Sequence, residues 1–189
     1  WMAKLLGLLS PGADLEELTM TLLQDQVGGF YDPGTKSFYL MKGYTGDIAR
    51  VILAHELTHA LDDNLYDLDG ALKERIGDSD ATAAYMSVVE GSGTELMNRW
   101  VMKNVGKLSA EDMRDFSKMG TASLQDSPTV IWKPLLASYM SGQRFLAVGR
   151  RHLRRKEKVL DLNEVIKRSF GAPPLSSEQV LHPEKYWDP

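Results

Sequence analysis

The stretch VILAHELTHALDDN, Val51 to Asn64, carries His55, Glu56 and His59 in the order H-E-x-x-H. On an α-helix, residues four apart lie about 40° from each other around the axis, so His55 and His59 project side by side, one turn apart. Glu56 lies about 100° from His55, too far round to join the pair yet flanking it. Leu53, Ala54, Leu57, Ala60 and Leu61 form an apolar stripe behind them. The pattern predicts an amphipathic helix that starts near Gly46 or Asp47 and ends around Asp63. Its leucine stripe is expected to be buried and its histidines to face a cleft.

Two imidazoles at this spacing are a standard reach for one Zn2+ ion, and H-E-x-x-H on a helix is a zinc-hydrolase pattern. The chain has only four histidines, and two of them fall here. A water in the open position of such an ion has its pKa lowered toward about 7. Glu56 is placed to take its proton as general base and to pass it to a leaving amine. Asp62 lies almost directly below His59, where a carboxylate orients a ligand histidine, and Asp63 competes for that task.

A catalytic zinc site takes three protein ligands. The metzincin extension would require Gly at position 62 and His at position 65, where this chain has Asp62 and Leu65. The other histidines, His152 and His182, are remote, and the chain has no cysteine. A carboxylate is therefore the expected third ligand, with Glu90 in SVVEGSGTEL the first choice and Glu95 the alternative. Glu90 is followed by Gly91, Ser92 and Gly93. A glycine inside a helix costs roughly 1 kcal/mol, so keeping two suggests that another backbone passes very close, as a tightly packed metal-bearing helix would.

The 189 residues, 43% of them hydrophobic, suffice for a single domain with a real core. About residues 1–64 would form a hairpin or small sheet and the metal-binding helix, and about 65–189 a helical part. A charged fraction of 25% and a net charge of -4 give no sign of disorder or of a nucleic-acid footprint. No apolar run approaches the roughly 18 residues of a membrane span. No secretory signal pattern is visible either. The start at Trp1 instead of Met suggests a fragment whose signal or anchor, if any, lies upstream.

Around the central stretch, Pro11-Gly12 breaks an apolar opening, and Asp14 is a cap for LEELTMTLLQDQ. Two alternating aromatic runs, Phe30/Tyr31 and Phe38/Tyr39, flank Asp32-Pro33-Gly34 and predict a β-hairpin. The segment NLYDLDGALKERIG reads as a connection with one helical turn. Asp78 or Asp80 caps a long helix that ends at Gly106, and SAED, Ser109 to Asp112, resembles a capping box. Pro134 interrupts an apolar run before more helix. The run GRRHLRRKEK reads as a solvated basic helix face, and Ser176 and Ser177 cap a turn before Pro183. The fold class is α+β, helix-rich with one small sheet near the N-terminus.

HELTHALDD closely resembles the metal-binding helix of the gluzincin metallopeptidases, in which a glutamate on a downstream helix is the third zinc ligand; Glu90 matches it. The chain is more specifically similar to a group of poorly characterised bacterial zincin-like proteins. Their shared elements are here Gly29 to Pro33 with Thr35, Tyr39 and Leu40; His55 to Asp63; Glu90 to Thr94; and Ser177 to Tyr186. The resemblance implies a zincin-like fold, a Zn2+ cofactor and a peptide or protein substrate. It also implies that residues 36 to 41 are an edge strand for an extended peptide. His182, Tyr186 or Tyr139 would stabilise the oxyanion. The company the family keeps suggests a periplasmic or extracellular location. One departure stands out: Thr94 occupies the position of the aspartate that supports a zinc-bound histidine in thermolysin-like enzymes. An alternative of the same fold is a zinc-retaining binding protein with little or no hydrolysis.

Overall fold

The computed structural model describes residues 2–26, 28–42, 44–112, 114, 128–158 and 161–189. Two short helices, α1 (Met2–Leu5) and α2 (Leu15–Gln26), precede the hairpin. Asp14 caps α2 as its sequence predicts, its Oδ1 accepting the amides of Glu16 at 2.8 Å and Glu17 at 3.2 Å. Strands β1 (Gly29–Asp32) and β2 (Ser37–Leu40) then pair antiparallel, with Phe30 opposite Tyr39 and Tyr31 opposite Phe38. Asp32 folds the turn, accepting Gly34 N–H at 2.9 Å and the Thr35 hydroxyl at 2.7 Å. Lys36 takes a left-handed φ of 53°, rare for a side chain without glycine's freedom. Its ammonium lies 2.6 Å from Asp63.

The central helix, α3 (Gly46–Tyr66), starts where expected and runs three residues past Asp63. Its orientation overturns the expected burial. Leu57 and Leu61 are 56% and 51% exposed. The buried face is instead Ile48, Val51, Ile52, His55, Glu56, Thr58, His59, Asp62 and Asp63. The reason is packing on two sides: α3 lies against β1 and against α5 (Ser79–Asn104). Ile48, Val51 and Ile52 supply the hydrophobic anchor near the start of the helix, so the polar residues farther along the same face are carried inward.

Between α3 and α5, Asp67 in the left-handed region ends one helix and caps the next, α4 (Leu68–Lys73). Asp78 caps α5 by accepting Ala81 N–H at 2.9 Å. The box at Ser109 is formed: Asp112 accepts the Ser109 amide at 2.9 Å, and Ser109 Oγ accepts the Asp112 amide at 3.0 Å. Most of the helix it would open lies outside the described residues. Helix α6 (Thr129–Glu157) continues through Pro134, contrary to the expected interruption. So early in the helix, proline forfeits one bond, to the carbonyl of residue 130.

The core forms where α5 and α6 pack together and α7 (Leu162–Gly171) closes over them, with Tyr85, Val88, Phe145, Leu146, Leu153, Leu162 and Val165 nearly inaccessible. Gly91 and Gly142 set the α5–α6 approach: a Cβ added at Gly91 would stand 2.7 Å from the carbonyl carbon of Gly142. Two short C-terminal helices, α8 (Ser177–Leu181) and α9 (Glu184–Trp187), lie back on this pair. Trp187 anchors them, its indole N–H donating to Phe145 O at 3.1 Å. Among the described residues the architecture is thus helix-rich with one two-stranded sheet, an α+β arrangement. No helix among the described residues is long and apolar enough to cross a membrane.

Candidate metal centre

Helix α3 presents His55 and His59 one turn apart, and α5 crosses it so that Glu90 reaches both. His55 Nε2 lies 2.9 Å from His59 Nε2 and 3.1 Å from Glu90 Oε2, and His59 Nε2 lies 3.6 Å from the same oxygen. A tetrahedral ion with ligand bonds of about 2.0–2.1 Å would hold its donors about 3.3 Å apart. The three edges bracket that value, so the donor set fits a Zn2+-sized ion. Among the described residues this is the group of histidines and carboxylates whose ligand atoms converge in this way.

Gly93 makes the convergence sterically possible. A Cβ there would lie 2.7 Å from His55 Cε1 and 2.9 Å from His59 Cε1. The rings, perpendicular at a centroid separation of 4.4 Å, therefore pass directly over the α5 backbone. The close approach read from Gly91 and Gly93 exists, but its two halves differ. Gly93 admits the histidine rings, whereas Gly91 admits α6.

The electrostatics are those of a buried, mutually dependent cluster. Burial favours the neutral acid of Glu90, yet hydrogen bonds and charge from His55 and His59 outweigh it and hold its pKa down at about 2. Burial likewise opposes a charged His59, but the hydrogen bond and charge of Glu90 leave its pKa above the ordinary value. Glu56 shifts up, first through burial, against the pull of both histidines. Its Oε2 accepts the amide N–H of Tyr31 at 2.8 Å.

Tyr139 of α6 completes the surroundings. Its ring stacks on His55 at 5.8 Å between centroids, and its hydroxyl is close enough to Glu90 for the carboxylate to act on its ionisation. Burial, then the charges of Glu90 and Glu56, push its pKa upward, so the phenol keeps its proton as a donor. The other two oxyanion candidates lie elsewhere. His182 is exposed, and its imidazole is 3.5 Å from Glu184. The Tyr186 hydroxyl donates to Ala172 O at the end of α7, and its ring packs on Phe145 and Trp187, which makes it an anchor of the C-terminal segment. The alternative ligand Glu95 pairs instead with Arg99 and Arg150.

The two aspartates separate into different tasks. Asp63 accepts from Tyr31 Oη at 2.7 Å, Lys36 Nζ at 2.6 Å and Leu68 N–H at 3.1 Å, so it ties the hairpin and α4 to α3 and does not orient a histidine. Asp62 stays near the histidines. Burial raises its pKa to about 6 against the opposing influence of Ser92 and of His59 and His55. Ser92 is close enough to favour the Asp62 anion, but neither Ser92 Oγ nor Asp62 Oδ2 makes a well-formed hydrogen bond. His59 Nδ1 and Thr94 Oγ1 are also buried without a partner. Thr94 thus does not take over the histidine support of the aspartate it replaces.

The hairpin meets the centre through its first strand. Because the Tyr31 amide points at Glu56, the edge facing the centre belongs to β1. Residues 36 to 41 lie across the hairpin on the far side. Sequence reading missed Tyr31 in this role; the signal was its place in the hairpin, but backbone direction depends on a register no composition reveals. Comparisons with protein-family models, with curated proteins and with solved structures give no match.

Proposed function

We propose that the chain is a zinc-dependent peptidase of the zincin type, holding Zn2+ with His55, His59 and Glu90. The observation that carries this reading is the convergence of three donor atoms, separated by 2.9, 3.1 and 3.6 Å, over a glycine whose added Cβ would strike both rings. Three such acceptors repel one another unless protons or a cation sit among them. A bound divalent ion would supply a Lewis acid that acidifies water and polarises a carbonyl.

The residues around it suit peptide hydrolysis. Glu56 is buried, with a pKa raised toward the range where a carboxylate works as a base and returns the proton. The Tyr31 amide fixes one of its oxygens and leaves the other for proton transfer. Tyr139, kept protonated, donates toward the developing oxyanion in place of His182 and Tyr186.

The test is Glu56→Gln in zinc-loaded protein. Peptide cleavage falls about 100- to 10,000-fold while zinc content stays at one per chain. Retained zinc without cleavage in the wild type would favour the alternative, a zinc-holding binding protein. Equal cleavage by wild type and variant would remove Glu56 from the mechanism.

A further inference from the structure

The end of α6 concentrates positive charge in a chain whose net charge is -4. Between positions 150 and 158 stand Arg150, Arg151, Arg154, Arg155, Lys156 and Lys158, against the single carboxylate of Glu157. All six cations are exposed. The carboxylates that meet this segment are already shared: Glu95 with Arg99 and Arg150, Glu157 with Arg168, and Asp188 with Arg155 and Lys156. Arg151, Arg154 and Lys158 have no ion-pair partner among the described residues.

Helix geometry lines these cations up. At 100° per residue, Arg144, Arg151, Arg155 and Lys158 fall within about 60° of one another around the axis, along about 21 Å of chain. Arg154 borders that stripe, and exposed Ala147 lies between Arg144 and Arg151. The stripe begins apolar. Met140, one turn before Arg144, is 71% exposed. Leu181 of α8, whose carbonyl accepts from Arg144 at 3.0 Å, is 51% exposed. One ridge thus carries a row of cations with two apolar side chains at one end.

We propose that this ridge docks on an anionic lipid bilayer, its cations against the headgroups and Met140 and Leu181 at the acyl boundary. Such a surface asks only for clustered positive charge, worth about fivefold in affinity per Lys or Arg, and for apolar tips. The long stems of arginine and lysine let the charges reach headgroups while their carbons lie against apolar surface. A nucleic acid fits less well, because the stripe offers no exposed aromatic side chain for a base to stack on. An acidic protein also fits less well, because the cations line one helix face and form no pocket that clasps a carboxylate. The negative charge of the rest of the chain makes the contact one-sided, so docking orients the molecule.

The experiment is co-sedimentation of the full chain with vesicles of equal parts phosphatidylglycerol and phosphatidylcholine, beside vesicles of phosphatidylcholine alone. The mixed vesicles are expected to bind at least about tenfold more tightly. Raising salt from about 0.05 to about 0.3 M should release the chain, as screening shortens the reach of the charges. Arg151→Gln, Arg154→Gln and Lys158→Gln together should weaken binding about a hundredfold, from three lost charges. Arg151→Lys with Arg154→Lys should leave it unchanged, because a headgroup layer senses charge and not the guanidinium fork. Met140→Ser with Leu181→Ser should weaken it severalfold at every salt concentration. Equal binding to both vesicle types, or undiminished affinity in the triple Gln variant with its helical circular dichroism retained, would overturn the proposal. So would loss of binding in the paired Lys variant, or tighter capture by polyglutamate or a single-stranded oligonucleotide than by the mixed vesicles.

Discussion

The amide N–H of Tyr31 donates to Oε2 of Glu56 across 2.8 Å, so a strand of the hairpin orients the residue proposed as general base. The same side chain's hydroxyl reaches Asp63 at 2.7 Å. Replacing Tyr31 by Pro removes the amide donor at a strand edge, where proline is tolerated. Tyr31→Phe removes only the hydroxyl. Tyr31→Pro should lower kcat at least about tenfold relative to Tyr31→Phe, measured with zinc content held equal. The Phe variant should mainly lose stability, by about 1.5–3 kcal/mol for a hydrogen bond to a charged group.

Gly93 is the cradle of the two imidazoles. In Gly93→Ala the new methyl would stand 2.7 to 2.9 Å from ring atoms of His55 and His59. The rings or the helix must give way, at a cost of about 1–3 kcal/mol for overpacking. Zinc affinity should fall at least about tenfold in a competition titration, with the helical circular dichroism spectrum retained.

Asp62 gives a pH signature in the metal-free chain. Its folded pKa of about 6 exceeds the unfolded value of 3.8. The folded state therefore holds the proton more tightly, and stability falls as pH rises from about 4 to about 6, then levels off. Asp62→Asn should leave stability little changed at pH 4. At pH 8 it should be more stable than wild type, by up to about 3 kcal/mol for a two-unit shift. Denaturant melts at the two pH values check this; an equal effect at both would place no ionisation cost on Asp62.

The exposed leucines offer a sharper check on the fold than the site does. Leu57→Gln and Leu61→Gln should each change stability by no more than about 0.5 kcal/mol, as surface substitutions do. Val51→Ala, on the buried face at 1% exposure, should cost about 1–3 kcal/mol. The opposite ranking in thermal melts would mean that α3 is turned the other way.

That helix also shows what a sequence reveals and what it conceals. The spacing of His55 and His59, the caps at Asp14 and Asp78 and the Asp32 turn depend on neighbours in the chain, and all appear in the structure as read. The inward face of α3 depends on partners far away. A row of leucines suggested one side, but β1 and α5 bury the side bearing Val51, Ile52 and the polar cluster. Glu90 was legible through its glycine neighbours, and Tyr139 through its residue type. Tyr186 had an equal claim on type alone, and only the packing of its ring on Phe145 separates the two. Asp62 and Asp63 are adjacent in sequence, yet the 100° between them on a helix sends one toward the histidines and the other to the hairpin.

The most direct measurement is an equilibrium zinc titration of the purified chain, run beside His59→Ala and Glu90→Ala. One zinc per wild-type chain is expected, with each variant at least about 100-fold weaker, because each removes one of three protein ligands. No stoichiometric uptake by the wild type, or undiminished affinity in Glu90→Ala, would contradict the three-ligand centre and the hydrolytic reading built on it.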